Sequence, residues 1–278
     1  MKTDRNKILI ISAFPGMGKS HFAKEVERTR EHLNEMGGDV DVIDFESSDF
    51  HWIQDTEGHK SLNPEWPENY FQAIKDIIAK AISYEKCYED FLELKIKPTI
   101  ILTSSHHEVI TGLYNMAVLN PQYHIDYCVV LPTKNRLNEF IESYERRGNT
   151  PKFIELLKEN WDKWINDIDK LAQYANLKVF HLRKACIGVD SLYVQKGFIS
   201  DYYLPLYQSS IKEENDAIKA MEIFDKYILG DTRGLNKINM FGRNLDDVMS
   251  IMDDKDGTDF AIYLNRYFFV DLSQINPK

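Results

Sequence analysis

The stretch ILIISAFPGMGKSHFAKEV, residues 8–26, joins three kinds of local structure with no spacer between them. The isoleucine-rich segment 7–13 predicts a buried strand, because short continuous apolar runs are typical of strands covered on both faces. Gly16 and Gly18 predict a tight loop after it, and apolar residues at helical spacing predict a helix over 19–36. The sequence therefore predicts a strand, a glycine loop and a helix in direct succession.

The loop between this strand and this helix has the chemistry of a polyphosphate-binding site. Glycines have no side chain, so the main chain can curl with its N–H groups facing inward and approach a phosphate closely. Lys19 adds a charge that can reach the outer phosphates, the hydroxyl of Ser20 can bind Mg²⁺, and the helix N-terminus favours an anion. The residues predicted to bind ATP are Phe14, Pro15, Gly16, Met17, Gly18, Lys19, Ser20 and His21.

The segment AFPGMGKS follows the P-loop pattern GxxxxGK[ST] except at Ala13, which stands where the first glycine is usual. This substitution is mild, because the first position ends the strand and a methyl group fits there. A P-loop alone does not separate a kinase from an ATPase, a GTPase or a motor, so the rest of the chain has to distinguish them.

Four further apolar segments are predicted to be strands, at 39–45, 98–104, 127–132 and 177–182, with helices between them. Five such strands predict an α/β fold, in which a parallel sheet carries helices on both faces. With the glycine loop, this is a three-layer P-loop NTPase fold. The alternation ends near residue 184, so we predict a core at 1–184 and a C-terminal extension or small helical subdomain at 185–278.

Three local signals predict where helices begin. Pro67 suits the first turn of a helix whose apolar residues repeat at helical spacing. Ser105 with Glu108 three residues later forms a capping-box pattern. Thr150 followed by Pro151 predicts the start of a long helix with an apolar stripe.

Charge and cysteine content limit the classes of function. The chain has 34 Lys and Arg against 44 Asp and Glu, a net charge of −10, which argues against broad binding to nucleic acid or anionic membranes. No apolar run is long enough to span a bilayer, and no secretory signal is evident. Cys87, Cys128 and Cys186 lack metal-binding spacing and predict reduced thiols. We expect a cytoplasmic protein without membrane association.

Polar and aromatic residues follow the second predicted strand, in a long loop at 46–66. Ligands bind α/β proteins where parallel strands end, so this loop shares an edge of the sheet with the glycine loop. Either Asp44 or Glu46 could orient Mg²⁺ while the other accepts a proton from an acceptor hydroxyl or binds a ribose. A solvated acidic loop is the alternative. The residues predicted to bind substrate are Asp44, Glu46, Ser47, Ser48, Phe50, Trp52, Tyr70 and His106.

The third predicted strand ends in LTSSHH, without a carboxylate. Thr103 and Ser104 stand where many P-loop proteins carry the acidic residue that organises Mg²⁺. His106 is a candidate ligand contact at a helix N-terminus. No further metal ligand accompanies it, so a zinc site is not expected.

A charged helix is predicted over 134–147, after the fourth strand. Arg136 and Arg147 are eleven residues apart, close to three helical turns, and would lie on one stripe, with Arg146 about 100° away. Such a helix suits a lid, at about 133–150, that closes over phosphates and excludes water. A charged outer helix in solvent is the alternative.

The glycine loop, an insertion after the second strand and an arginine-bearing helix after VVLP resemble, in this order, the nucleoside and nucleoside monophosphate kinases. The similarity covers about 1–184, and only the P-loop is specific at residue level. The resemblance implies ATP and Mg²⁺ at Lys19 and Ser20, and an acceptor in the insertion, at about 46–86. Because the third strand lacks a carboxylate, we assign the second metal ligand to Asp44.

These observations predict an ATP-dependent kinase that transfers the γ-phosphoryl group to a nucleoside or a (deoxy)nucleoside monophosphate. The residues predicted to be catalytic are Lys19, Asp44, Arg136, Arg146 and Arg147, and those predicted to bind Mg²⁺ are Ser20 and Asp44. One alternative is an NTP-binding switch or regulatory ATPase acting on a protein partner. A polynucleotide 5′-kinase is a further alternative, disfavoured by the acidic balance. Both a monomer and a homo-oligomer are compatible with the sequence.

Overall fold

The structure is a computed structural model that describes residues 8–28, 30–31, 40–88, 91–123, 125–183, 187, 260, 263, 264 and 267. The end of the first predicted helix, at 32–36, lies outside the described residues. So does most of the predicted C-terminal extension.

The chain alternates strands and helices, as its apolar pattern predicts. In chain order the elements are β1 (Ile8–Ala13), α1 (Lys19–Arg28), β2 (Asp41–Asp44), α2 (Ser48–His51), β3 (Trp52–Gln54), β4 (Lys60–Leu62), α3 (Glu68–Ala81), β5 (Ile82–Tyr88), β6 (Phe91–Ile96), β7 (Thr99–Thr103), α4 (His107–Leu119), β8 (Ile125–Pro132), α5 (Leu137–Arg146), α6 (Pro151–Tyr174) and β9 (Lys178–Leu182). Short 3₁₀ helices lie at Pro121–Tyr123 and Lys134–Arg136.

Five strands form one parallel sheet in the order β2-β7-β1-β8-β9. This confirms the predicted α/β fold and its five-stranded parallel sheet. Every side chain of β1 and β7 is buried, as expected for strands covered on both faces. In the register, Ile10 lies opposite Ile101 on one side and Tyr127 on the other. The carboxyl ends of all five strands therefore meet at one edge.

Close helix packing explains one glycine in the middle of α4. A Cβ on Gly112 would lie 2.1 Å from the ring of Phe71 on α3. Glycine is needed there because the ring occupies the space that any side chain would take.

The long helix α6 begins and packs as predicted. The hydroxyl of Thr150 accepts a hydrogen bond from the N–H of Phe153, at 3.3 Å, which caps the helix. Its buried stripe includes Leu157, Trp161 and Ile165. The start predicted by Thr150 and Pro151 is confirmed.

Side chains from the C-terminal part of the chain join the same core. Phe260 and Tyr263 contact Phe180 on β9, with ring centroids 5.2 and 5.5 Å apart. Leu264 and Tyr267 are also buried in this core.

Two local predictions were wrong, and one hairpin was not predicted. The capping box at Ser105 does not form: His106 is the N-cap residue of α4, and no side chain caps it. The single helix expected over 134–147 is interrupted, because Arg136 takes non-helical dihedral angles between the 3₁₀ turn and α5. The segment 82–96 forms a hairpin, β5 and β6, although its mixture of apolar and charged residues has no clear period.

The predicted loop at 46–66 has structure of its own. It contains α2 and the antiparallel hairpin of β3 and β4, in which Trp52 lies opposite Leu62. Across the part of the chain that is described, no helix has both the length and the apolar character needed to cross a membrane.

Candidate functional site

The glycine loop leaves the carboxyl end of β1 in a tight curl. Gly16 and Gly18 have φ angles of +89° and +91°, in the left-handed region that residues with a side chain adopt at a cost. The N–H of Phe14 donates to the carbonyl of Val130 at 3.0 Å, and the N–H of Met17 donates to the carbonyl of Phe14 at 3.1 Å. The two glycines thus allow the chain to turn back on itself before α1 begins.

Several main-chain N–H groups of this loop have no hydrogen-bond acceptor among the described residues. Within the described residues, the N–H groups of Gly16, Gly18, Lys19, Ser20 and His21 make no hydrogen bond. The first N–H of α1 that bonds a helical acceptor is that of Phe22, which donates to the Gly18 carbonyl at 2.9 Å. Free N–H groups at the start of a helix suit an anion such as a phosphate.

Some side chains of the loop are exposed and others are buried. Phe14 and Met17 are buried in the core, whereas Pro15, Ser20 and His21 are exposed. Phe14 and Met17, both predicted to bind ATP, can therefore contact a ligand through their main chain but not through their side chains. The exposed hydroxyl of Ser20 remains accessible to a ligand.

Lys19 is a nearly buried cation at the foot of α1. Its side chain is 7% exposed, and Nζ donates to the carbonyl of Ala13 at the long distance of 3.4 Å. Burial lowers the pKa of Lys19, while the charges of Glu46 and Asp44 act to raise it. The ammonium group is poorly compensated, so an anionic ligand would stabilise its charged form.

Two buried polar atoms lie without a partner at the carboxyl edge. Neither Asp44 Oδ1 nor Ser104 Oγ makes a hydrogen bond in the described structure. Asp44 ends β2, and Ser104 follows the adjacent strand β7. Buried polar atoms are usually satisfied in native proteins, so these two atoms suggest a place for a ligand, and the charge of Asp44 also acts on Lys19.

The oxygen atoms at this edge fit Mg²⁺. The Ser20 hydroxyl and the unpartnered Asp44 carboxylate are hard oxygen ligands of the kind that Mg²⁺ prefers. Over the described ranges, no three His, Cys, Asp or Glu side chains cluster as a metal site. Phosphate and water oxygens would have to complete the coordination, as is usual for Mg²⁺ with a nucleotide.

Tyr70 connects the insertion to the sheet. Its hydroxyl donates to the carbonyl of Phe45 at 2.7 Å, and the two rings stack at 5.0 Å. Burial raises the pKa of Tyr70 well above its usual value, against the opposing effect of the Ser104 backbone. Tyr70 thus connects α3 to the end of β2, and its own ring is fully buried.

Main-chain carbonyls organise the start of the insertion. The side-chain amides of Asn63 and Asn69 both donate to the carbonyl of Phe50, at 3.0 and 3.1 Å. The carbonyl of Ser47, a buried residue, accepts the N–H groups of Phe50 and His51. Ser48 begins α2 and is exposed. These bonds connect the segments at the start of the insertion.

Three rings stack face to face next to this edge. The ring of His51 lies parallel between those of Trp52 and Trp66, with both centroid distances 4.6 Å. His106 packs edge-on against His51 and Trp66. Trp66 Nε1 donates to Glu108 Oε1 at 3.2 Å. Trp52 ends the stack and is 45% exposed, so it offers a flat apolar face.

The surroundings of His106 disfavour its charged form. Partial burial lowers its pKa, and the nearby charges of His51 and Lys19 lower it further, against the opposing effect of Glu108. His106 thus lies near Lys19 and packs against the stack, and its contact with a ligand stays a prediction.

The helix α5 lies directly on the glycine loop. A Cβ on Gly16 would be 3.0 Å from the ring of Phe140 and 3.3 Å from the hydroxyl of Tyr144. The rings of Phe14, Phe140 and Trp161 contact one another, at centroid distances of 5.0 to 6.1 Å. Gly16 is therefore needed for close approach as well as for its φ angle.

The three predicted lid arginines fall in different environments. Arg136 is buried: Nε donates to Glu139 at 2.8 Å and Nη1 to the carbonyl of Leu182 at 3.3 Å. Arg146 and Arg147 are exposed at the other end of α5. The guanidinium of Arg147 lies 5.8 Å from the ring of Tyr144, the residue whose hydroxyl approaches Gly16. Arg147 is thus connected to the loop through Tyr144, whereas Arg136 bonds directly to β9 of the sheet.

Several residues of this site were missed in the sequence. Phe140 and Tyr144 are four residues apart on α5, an i, i+4 pair that signals a buried face, but the prediction for this segment was based on its arginines. His51 and Trp66 carry no local signal, because their stacking depends on a hairpin that separates them. Ser104 was noted only as a missing carboxylate.

The sequence matches no protein-family model, and no curated protein matches it. The chemical interpretation of this edge therefore depends on the geometry described above.

Proposed function

We propose that the protein is a P-loop phosphotransferase that moves the γ-phosphoryl group of ATP to a nucleoside or nucleotide acceptor. The observation that carries this proposal is the curled loop at Gly16 and Gly18, whose free N–H groups lie beside the nearly buried Lys19. A cationic, donor-rich loop between a parallel strand and a helix is suited to a polyphosphate. In this proposal the chain has a three-layer P-loop NTPase fold.

The proposed chemistry divides between two sides of the edge. The N–H groups of the loop bind the phosphates, and Lys19 neutralises charge on the outer ones. The acceptor lies in the insertion beside Glu46, which accepts a proton as the acceptor oxygen attacks the γ-phosphorus. Arg146 and Arg147 stabilise charge on the transferring group, while buried Arg136 positions α5 through Leu182.

Ser20 and Asp44 would hold Mg²⁺ in this proposal. When bound, Mg²⁺ supplies positive charge that neutralises the β- and γ-phosphates. The unpartnered Oδ1 atom of Asp44 supports this choice.

Calorimetry with ATP and Mg²⁺ tests the binding part of the proposal. We expect heat of binding with the wild-type protein and a large loss of affinity in Lys19→Ala. Lys24→Ala, an exposed lysine on the same helix, is the matched control and should bind normally. No heat with any nucleoside triphosphate would contradict the proposal.

An NTP-dependent switch that acts on a protein partner is a second candidate. The β3–β4 hairpin favours it, because Trp52 and Leu62 lie opposite each other and are 45% and 56% exposed, and an exposed apolar patch can mark a binding surface. A switch predicts slow ATP turnover that no small-molecule acceptor accelerates. An acceptor that stimulates ADP production would exclude it.

A further inference from the structure

We infer that the acceptor is an uncharged nucleoside, phosphorylated on a sugar hydroxyl, rather than a nucleoside monophosphate. This inference rests on the proposed function and names the substrate class of the same site. It follows from the charges of the insertion, from the unpartnered Ser104 hydroxyl at the carboxyl edge and from the stacked rings of the insertion.

The insertion offers carboxylates where a monophosphate would need cations. Asp44 and Glu46 lie at the end of β2, and both charges act on Lys19 and on Tyr70. Glu108 lies under the aromatic stack, bonded to Trp66. A phosphate dianion placed among these groups would face like charges, which disfavours its binding.

The cations of the insertion lie elsewhere. The segment 44–81, which is described throughout, contains no arginine. His59 is exposed at the hairpin turn and pairs with Asp55 at 3.2 Å. Lys75 lines a cavity with Ile125, at the amino end of β8 and thus the opposite edge of the sheet.

The remaining basic side chains do not supply the missing charge. Lys60 is exposed on β4, and Lys80 is exposed in the last turn of α3. Burial lowers the pKa of His106 and so disfavours the charged form that would bind a phosphate. Lys19 is next to the glycine loop, where the proposed donor phosphates require it. Apart from His51, whose ring lies between those of Trp52 and Trp66, no described group of the insertion is thus left to bind an acceptor phosphate.

The unpartnered hydroxyl of Ser104 suits a sugar hydroxyl group. Ser104 is 7% exposed, and its Oγ atom can both donate and accept a hydrogen bond. A sugar hydroxyl has the same capacity, so it can donate to a carboxylate and accept from Ser104 at once. A phosphate dianion accepts only, and could not satisfy a carboxylate.

The aromatic stack suits the base of a nucleoside. Trp52 ends a parallel series of three rings and is 45% exposed. A base can stack on such a face, and any of the common bases can do so because each has a flat π-surface. The insertion thus combines a flat apolar face with hydroxyl-binding groups.

The chemical step that follows is balanced. The sugar hydroxyl oxygen forms a bond to the γ-phosphorus of ATP, and the bond from that phosphorus to the β–γ bridging oxygen breaks. The hydroxyl proton passes to the carboxylate of Glu46. The products are a nucleoside monophosphate and ADP.

An acceptor panel with the full chain tests the inference. ADP production would be measured with ATP, Mg²⁺ and each common ribonucleoside and deoxynucleoside, and then with the matching 5′-monophosphates. We expect at least one nucleoside to give a kcat/KM at least tenfold higher than its own monophosphate. The phosphorylated product would be identified by mass spectrometry.

Two substitutions sharpen the test. Glu46→Gln should lower kcat for the best nucleoside about 100-fold, because it removes the proton acceptor, and should leave ATP binding intact. Ser104→Ala should raise the KM for the nucleoside more than it lowers kcat. Glu65→Gln, which changes an exposed carboxylate of the same insertion, is the matched control and should match the wild type.

The outcomes separate the inference from the proposed function. Stimulation by monophosphates alone, or equally by both classes, would overturn the inference and leave a phosphotransferase. ATP binding without stimulation by any acceptor would overturn the inference and favour a switch. Absence of ATP binding would overturn both.

Discussion

The glycine loop and the insertion form the two sides of one edge, yet they are built by different means. The loop is held by apolar packing: Phe14 and Met17 lie in the core, and Phe140 covers Gly16. The insertion is held by hydrogen bonds onto main-chain carbonyls, such as those from Asn63 and Asn69.

This difference has a functional meaning. A loop fixed by the core has one conformation, which suits phosphates that must be bound in the same way in every cycle. An insertion fixed by polar bonds at the surface opens at lower cost, since local stability follows apolar burial. We expect the donor side to be rigid and the acceptor side to admit and release its ligand.

The largest expected effect separates chemistry from folding on the loop side. Lys19→Ala should lower kcat/KM about 1000-fold, or about 4 kcal/mol, because it removes the charge that stabilises the transferring group. Its melting temperature should not fall, since burial of the ammonium group already opposes stability. Steady-state kinetics and thermal unfolding measure the two effects. Activity within tenfold of the wild type would contradict the assignment of this residue.

The second effect tests whether α5 is packed on the loop. Gly16→Ala should destabilise the fold by about 2–3 kcal/mol, because it combines a positive φ angle with the contact to Phe140. Gly148 provides a matched control: its φ is +77°, and a Cβ there would meet nothing within 4 Å.

Gly148→Ala should therefore cost only the strain of its φ angle, about 1 kcal/mol. Denaturant unfolding of both variants measures the difference. Equal losses would mean that Phe140 does not restrict the loop.

The third effect concerns the arginine at the end of α5. Arg147→Ala should lower kcat about tenfold, or about 1.4 kcal/mol, and change the affinity for ATP much less, if this residue stabilises the transition state. Lys158→Ala, an exposed change on α6, is the control. An equal loss in kcat and in ATP affinity would instead identify Arg147 as a ground-state binding residue.

The smallest expected effect tests the polar construction of the insertion. Asn63→Ala and Asn69→Ala each remove one hydrogen bond to the Phe50 carbonyl. Each should lower the free energy of unfolding by about 1 kcal/mol. Both should raise the KM for the acceptor and leave the affinity for ATP unchanged. Hydrogen exchange should increase in residues 48–66 but not in β1. A rise in exchange at β1 would show that the two sides are not independent.

The sequence predicted the loop side better than the acceptor side, for a physical reason. A buried parallel strand needs a continuous apolar run, and a tight turn before a helix needs glycine, so both appear as local patterns. The insertion depends on contacts between distant residues, such as the 2.7 Å bond from Tyr70 to Phe45. Such contacts have no local pattern, and the hairpins at 52–62 and 82–96 were missed.

The amino-acid sequence alone was sufficient for the five strands, their parallel alternation with helices and the position of the glycine loop, because periodicity and glycine content are properties of short segments. Only the tertiary structure decided that Phe140 covers Gly16, that Arg136 bonds the carbonyl of Leu182 and that Asp44 and Ser104 lie unpartnered at one edge. These features join elements that are distant in the chain, and they arise from the order in which the strands pack.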